Sequence, residues 1–340
     1  MKKSLIVFSI MFVLMFSMAA SVFGTKALSQ QQITNDPSSD NQYPDIYGDI
    51  IVWDNIVVDD GLLCSIYGYN ILTNQQFVIA EDIGDNGYPE IWGDYVVWMQ
   101  DDNVSIYNLK TKQVTLVGGN DDKAYWPDIY DGTVVWSENG DIRSYNINSG
   151  VFRTISDSDM ADYPAINRDI VVWEDDGDIY GFNLKTSTQP FLIRQSGSAY
   201  RPAVYGDIVV WEEDTKIWKH SLKTGEQVSI SSDMITYAQY PDIYGDIVVW
   251  QEGDYSIYGH NLLTGQEFLI RDSADPYNLE YPAIYCGRVV WYENFYHSSE
   301  DLFRYQIYLA NLDVVCETAK KPLPMDWILK KFGLGKYKNN

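Results

Sequence analysis

Cysteine, histidine and basic side chains are all scarce in this chain of 340 residues. Three cysteines, Cys64, Cys286 and Cys316, are too few for a disulfide scaffold and lack the paired spacing of a zinc site. Only His220, His260 and His297 could act as imidazole bases or ligands. There is no Gly-x-Ser-x-Gly elbow, no His-Glu-x-x-His and no phosphate-binding glycine loop. Lysine and arginine number 24 against 48 acidic residues, a formal net charge of −24. Such a surface repels nucleic acid and anionic lipid, so neither is expected as a partner. Beyond the N-terminus no apolar run is long enough to cross a bilayer.

What is abundant is aromatic and periodic. Seven times a proline is followed nine residues later by a tryptophan: Pro44/Trp53, Pro89/Trp98, Pro127/Trp136, Pro164/Trp173, Pro202/Trp211, Pro241/Trp250 and Pro282/Trp291. Successive prolines lie 45, 38, 37, 38, 39 and 41 residues apart. A period near 40 filled with β-type sequence predicts an all-β, seven-bladed β-propeller with four antiparallel strands per blade. In the fullest copy, Tyr240-Pro-Asp-Ile-Tyr reads as the first strand, Gly245-Asp246 as a tight turn and Ile247-Val-Val-Trp250 as the second strand. Ile257–Leu262 follows as the third strand and Glu267–Ile270 as the fourth. Proline cannot donate to a ladder, which places it on the inner edge strand of each blade. One tryptophan per blade predicts packing of each sheet against its neighbour.

The last repeat lacks a good fourth strand after Gln306–Asn311, while Gln31-Gln32-Ile33-Thr34 resembles an orphan one. The N-terminal strand is therefore expected to close the last blade and remove two exposed edges. Val314–Thr318 is the competing segment. Cys286 in the first hairpin turn and Cys316 after the third strand share this blade. They either pair as a disulfide or remain buried thiols.

Residues 1–24 carry Lys2 and Lys3, an apolar middle and a small-residue end, the pattern of a secretory signal, with an uncleaved anchor as the alternative. The propeller is expected over 25–319. The tail 320–340 is basic, with six lysines against Asp326, and 325–332 has a short amphipathic pattern. The expected localisation is secreted or cell-surface associated, with no stable membrane span once the signal is removed.

The combination Pro-Asp, Gly-Asp-Ile-Val-x-Trp and Ile-Tyr-x-x-Asn-Leu-x-Thr-Gly resembles the repeats of TolB-type propellers, in the version found in archaeal cell-surface proteins. The resemblance covers about residues 31–311. It implies a secreted ring that binds partners, and it carries no catalytic residues to transfer.

Three groups of residues are candidate sites. From each Trp to the following third-strand Ile of the same repeat, the connections span 13, 8, 6, 6, 6, 7 and 16 residues. The two long ones carry Leu62 and Leu63, and Phe295, Tyr296, His297, Leu302 and Phe303, apolar residues suited to a partner. Tyr43, Tyr88, Trp126, Tyr163, Arg201, Tyr240 and Tyr281 open the seven first strands and could ring a channel mouth that stacks on sugars or peptides. The alternative for these seven is strand-edge packing. Acidic stretches such as Glu174–Asp178 and Glu212–Asp214 could attract calcium, but none has the spacing of a dedicated calcium loop, so no metal ligand is assigned and no cofactor is expected. The expected function is a non-catalytic scaffold binding a cell-envelope protein or glycan. The alternatives are a polysaccharide lyase or glycosidase, and a structural component of a surface layer.

Overall fold

The computed structural model describes residues 25–59, 61–84, 87–118, 123–232, 237–273, 278–297 and 302–314. For 58, 59, 61, 62, 295–297, 302 and 303 it describes the backbone only. The expected signal segment, the basic tail and Cys316 lie outside the described residues. Among the described residues there is no helix; they form seven antiparallel sheets of four strands each.

Blade 1 comprises Ser39–Tyr47, Ile50–Asp59, Gly61–Asn70 and Gln75–Ala80. Blades 2 to 6 follow over 90–117, 124–154, 161–194, 199–229 and 238–272. Blade 7 takes Leu279–Tyr285, Arg288–His297 and Leu302–Leu312 from the C-terminal side and Ala27–Gln32 from the N-terminus. The closure expected from the sequence is thus present. Ile33 donates its N–H to the Ile307 carbonyl at 2.7 Å, as Ile230 does to Ile217 at 2.8 Å in blade 5, so Ile33 holds a fourth-strand position. Lys26 and Asp313 bond twice across the seam, and Thr25 accepts from Asn261 of blade 6. In the first hairpin turn of blade 7, Cys286 has φ +53° and is disulfide-bonded. Cys64 is buried.

There is no single core. Seven apolar clusters lie between neighbouring blades, each drawing residues from both. The run Ile-Val-Val-Trp serves two of them because its side chains alternate. In blade 1, Ile51 and Trp53 face blade 7, while Val52 faces blade 2. All seven repeat tryptophans are at most 1% exposed, and each packs on the preceding blade. Burial of one such ring contributes up to about 4–6 kcal/mol. Five of the indole N–H groups have acceptors, for example Glu213 for Trp211 at 2.8 Å. Those of Trp173 and Trp291 have none.

The Asn-Leu-x-Thr motif closes the outer hairpins. Asn261 Oδ1 accepts the N–H groups of Leu263 and Thr264, and Asn70, Asn108 and Asn183 repeat the arrangement. A third-strand glycine admits the fourth-strand aromatic: a Cβ on Gly259 would sit 2.6 Å from Phe268.

The Pro-to-Trp spacing has one structural cause. In the ladder of blade 1, Gln42 pairs with Asp54 and Asp45 with Val52, so Tyr43 and Pro44 together oppose Trp53. This is a β-bulge. The same two-against-one count occurs in blades 3, 4, 5, 6 and 7, and in blade 2 Met99 bonds Gly87 to leave Tyr88-Pro89 opposite Trp98. Proline fits because the bulge asks for no ladder donor there.

Candidate functional site

The bulge re-aims the residue before each proline. Tyr43, Tyr88, Trp126, Tyr163, Arg201, Tyr240 and Tyr281 all have φ between +47° and +52°. Glycine is the residue that takes this conformation without strain, yet none of the seven is glycine. Their side chains converge on the axis. Around the ring the centroid separations are 4.3 Å for Tyr43–Tyr88, 4.3 Å for Tyr88–Trp126, 4.6 Å for Trp126–Tyr163, 3.9 Å for Tyr240–Tyr281 and 4.9 Å for Tyr281–Tyr43. Arg201 completes the circle, its guanidinium 5.1 Å from the Tyr163 ring and 4.5 Å from that of Tyr240. The sequence proposed a ring here; the structure makes it a closed collar, with the rings packed on one another rather than along strand edges.

In blades 1, 4 and 5 the residue after the tryptophan is a carboxylate, Asp54, Glu174 or Glu212, and it braces this collar. Asp54 accepts the N–H groups of Gly87 and Tyr88 at 2.9 and 3.3 Å. Glu212 accepts the Tyr240 N–H at 2.9 Å and pairs with Arg201 at 2.5 Å. Glu174 accepts the Arg201 N–H. Burial pushes the Asp54 carboxyl up to about 7, against the two backbone N–H groups. Burial, aided by Asp162, pushes Glu174 up to about 7 as well. Burial works against the charge on Arg201, but Glu212 and the flanking tyrosines outweigh it and hold the guanidinium ionised.

Two and four residues beyond the collar, the first strands present further side chains to the same bore. The second set is Asp45, Glu90, Asp128, Ala165, Ala203, Asp242 and Ala283. Asp128 accepts the N–H groups of Ile129 and, from the next blade, Ile166, each at 2.6 Å. Asp242 accepts from Ile243 and from Ile284 of the next blade, each at 2.7 Å. Asp45 accepts from Ile91 of blade 2 at 2.8 Å. Each aspartate thus ties its inner strand to the neighbouring one. Burial raises all four carboxyls, Asp128 and Asp242 to about 7.

The third set is a second collar: Tyr47, Trp92, Tyr130, Asn167, Tyr205, Tyr244 and Tyr285. Neighbouring aromatic centroids lie 4.1–4.8 Å apart, and between Tyr130 and Tyr205 the buried Asn167 accepts the Gly206 N–H at 3.0 Å. Between the collars lies a cavity of about 300 Å³.

The long connections prove to be strand. In blade 1 the hairpin pairs Val58 with Leu62 and Val57 with the exposed Leu63; in blade 7 it pairs Phe295 with Arg304, Tyr296 with Phe303 and His297 with Leu302. Both hairpins rise at the seam on the face of the first collar. The blade 7 hairpin base is held by Arg304, which donates to the Pro37 carbonyl and pairs with Asp40. The side chains of Leu62, Phe295, Tyr296, His297, Leu302 and Phe303 lie outside what the structure describes.

The acidic stretches are less solvated than a loop reading implies. Glu212 and Glu213 are buried on the second strand of blade 5, and Glu213 is bound by Arg194 and Trp211. Asp178 accepts the N–H groups of Ser196 and Gly197. Among the described residues, no three acidic, histidine or cysteine side chains are grouped closely enough to hold one metal ion.

No protein-family model and no curated protein match the chain. Solved structures do. The β-propeller domain of the trilobed protease from Pyrococcus furiosus, described as having an open velcro topology, aligns with TM-score 0.61 and 12% identity over 78% of this chain and 94% of that one. An oligogalacturonate lyase from Vibrio parahaemolyticus aligns with TM-score 0.58 and 13% identity over 85% and 98%. U3-55K aligns with TM-score 0.64 and 11% identity over 85% and 100%. At these identities the likeness is one of fold.

Proposed function

We propose that this protein is a secreted or cell-surface propeller that binds a cell-envelope protein or glycan without transforming it, on the face that carries the first collar and the two seam hairpins. One observation carries the reading. Seven successive blades hold a large side chain in left-handed backbone, at a cost of about 1–3 kcal/mol each, where glycine would sit unstrained. A ring built only for closure has no use for that expense. The secretory pattern of residues 1–24 and the resemblance of the repeats to TolB-type propellers support an extracytoplasmic, partner-binding role. The reading needs no cofactor.

The test is capture from the cell envelope of the source organism, together with a glycan array. Full chain is compared with Arg201→Ala and with a chain whose hairpin tip 297–302 is replaced by a two-residue turn. Loss of a ligand in either variant, with the fold intact, is the expected result. Equal capture by all three refutes the proposal.

A second reading is kept by one observation. Asp162 and Glu174 oppose each other across blade 4 beside Arg201, and each has a buried oxygen without a partner. Burial raises both. A raised carboxyl next to a second one is the arrangement an acid–base glycosidase uses. Polysaccharide cleavage by the full chain that is lost in Glu174→Gln would establish it. The neighbouring oligogalacturonate lyases act on a polyanion, and the acidic bore of this chain opposes such a substrate.

A further inference from the structure

The bore behind the first collar is a second site, with chemistry of its own. Its walls are the three layers of inner-strand side chains already described, and its volume of about 300 Å³ is at the small end of ligand-binding cavities. Both ends are aromatic. The middle layer carries four carboxylates, and among the described residues the only cation in the lining is Arg201, which Glu212 already neutralises. Aromatic faces attract cations through their quadrupoles, more strongly once water is excluded. The enclosed field is therefore negative from the walls and from both ends.

Asp45 and Glu90, on adjacent blades 1 and 2, are hydrogen-bonded to each other, while Asp128 and Asp242 stand on blades 3 and 6. Among the described residues they do not gather into a group that could chelate one ion. A cation that satisfies them has to be extended and carry its charges apart. Ala165 and Ala203, on adjacent blades 4 and 5, leave one side of the wall apolar and suited to methylene groups, while Ala283 on blade 7 separates Asp242 from Asp45. On the same strand as Ala165, the buried Asn167 takes the place of an aromatic ring in the second collar and accepts the Gly206 N–H. We propose that this bore binds a linear alkyl-diammonium ion of the polyamine class. Each ammonium finds carboxylate oxygens and aromatic faces, and the alkyl chain lies along the alanines and the ring prolines. A neutral sugar of the same size would leave the buried charge uncompensated. Burial raises all four carboxyls, and for Glu90, Asp128 and Asp242 the neighbouring carboxylates add to it, a repulsion that a cation between them relieves.

The bore shares the first collar with the partner-binding face, but its test uses a different probe and variants that leave that collar unchanged. Full chain is titrated calorimetrically with 1,4-diaminobutane at about 150 mM salt, which screens the acidic outer surface. The expected result is binding at one site, with no binding of 1,4-butanediol. Glu90→Gln removes an acid for which no backbone hydrogen bond is seen, and should weaken binding at least tenfold. Ala203→Leu fills the bore without altering charge and should abolish it. No binding at millimolar diamine overturns the proposal. So does equal binding by folded Glu90→Gln and Ala203→Leu, which would mean attraction to the outer surface only. Competition by calcium chloride at equal or lower concentration overturns it too, in favour of an inorganic ion.

Discussion

Replacing Asp54 by asparagine should make the protein more stable at neutral pH and change its stability little in acid. Asp54 is fully buried between blades 1 and 2. One oxygen accepts the N–H groups of Gly87 and Tyr88, and the other has no partner. Burial raises its pKa from 3.8 to about 7 in the folded chain. A group raised in this way binds its proton more tightly when folded, so its stabilising contribution is complete below about pH 4 and is lost as pH rises through about 7. At about 1.4 kcal/mol per pH unit over most of that window, the wild-type chain loses roughly 2–3 kcal/mol between pH 5 and pH 8 through this residue alone, as an upper bound. Asparagine keeps one oxygen for the two N–H groups and carries no charge to titrate. The other raised carboxyls respond equally in both proteins and cancel in the difference. The assay is urea denaturation of both proteins at pH 5, 6, 7 and 8. The stability of Asp54→Asn relative to wild type should climb across the series. A difference that is flat with pH, or that falls, refutes the assignment of a buried, desolvated carboxyl to this position.

Trp211→Ala should cost about 3–5 kcal/mol, read as a lowered denaturation midpoint, because it empties the contact between blades 4 and 5; an unchanged midpoint refutes the packing role. Asp175→Glu should add about 1 kcal/mol by supplying the Trp173 indole with the acceptor that Glu138, Glu213 and Glu252 give their own tryptophans; a clear loss of stability would show that the shorter Asp175, bonded to Ser158, matters more. Deleting residues 27–33 should lower the melting temperature and promote association through the bared edge of blade 7; a monomer with an unchanged melting temperature refutes the closure.

The ring was legible because its period is covalent. Strand, turn, strand and tryptophan recur at fixed offsets, and a β-branched run such as Ile247-Val-Val-Trp250 reads as buried on both faces whatever surrounds it. The seam was legible too, since Ile33 stands at the same distance before its proline as Ile230 does. The bore was only half read. Tyr43 was picked out, but residues two and four further along a strand share its face, so Asp45 and Tyr47 were equally available from the same five letters. What concealed them was the bulge. No glycine marks it, and nothing in Tyr-Pro announces left-handed backbone at the tyrosine. The long connections misled in the opposite sense: their polar and small residues read as loop, while in the fold they extend the ladders of blades 1 and 7.

Apart from Ala283 on blade 7, the departures from the repeat in the bore are not scattered. Arg201 in the first collar, Ala165 and Ala203 in the middle layer and Asn167 in the second collar all come from blades 4 and 5. The carboxylates come from blades 1, 2, 3 and 6. Drift in a closed ring has no reason to sort small and polar residues to one side of the axis and acids to the other, since every blade meets the same packing demand from its neighbours. The outer parts of the same blades keep the pattern: Trp173 and Trp211 are as buried as the rest. Selection on packing alone would have acted on both parts alike. The asymmetry is confined to the layers that face the bore, which is where a ligand rather than a neighbouring blade sets the requirement. The long hairpins, by contrast, sit at the seam of blades 1 and 7, on the outer face. Two independent breaks in symmetry, at different places on the ring, are what two separate binding surfaces would leave behind.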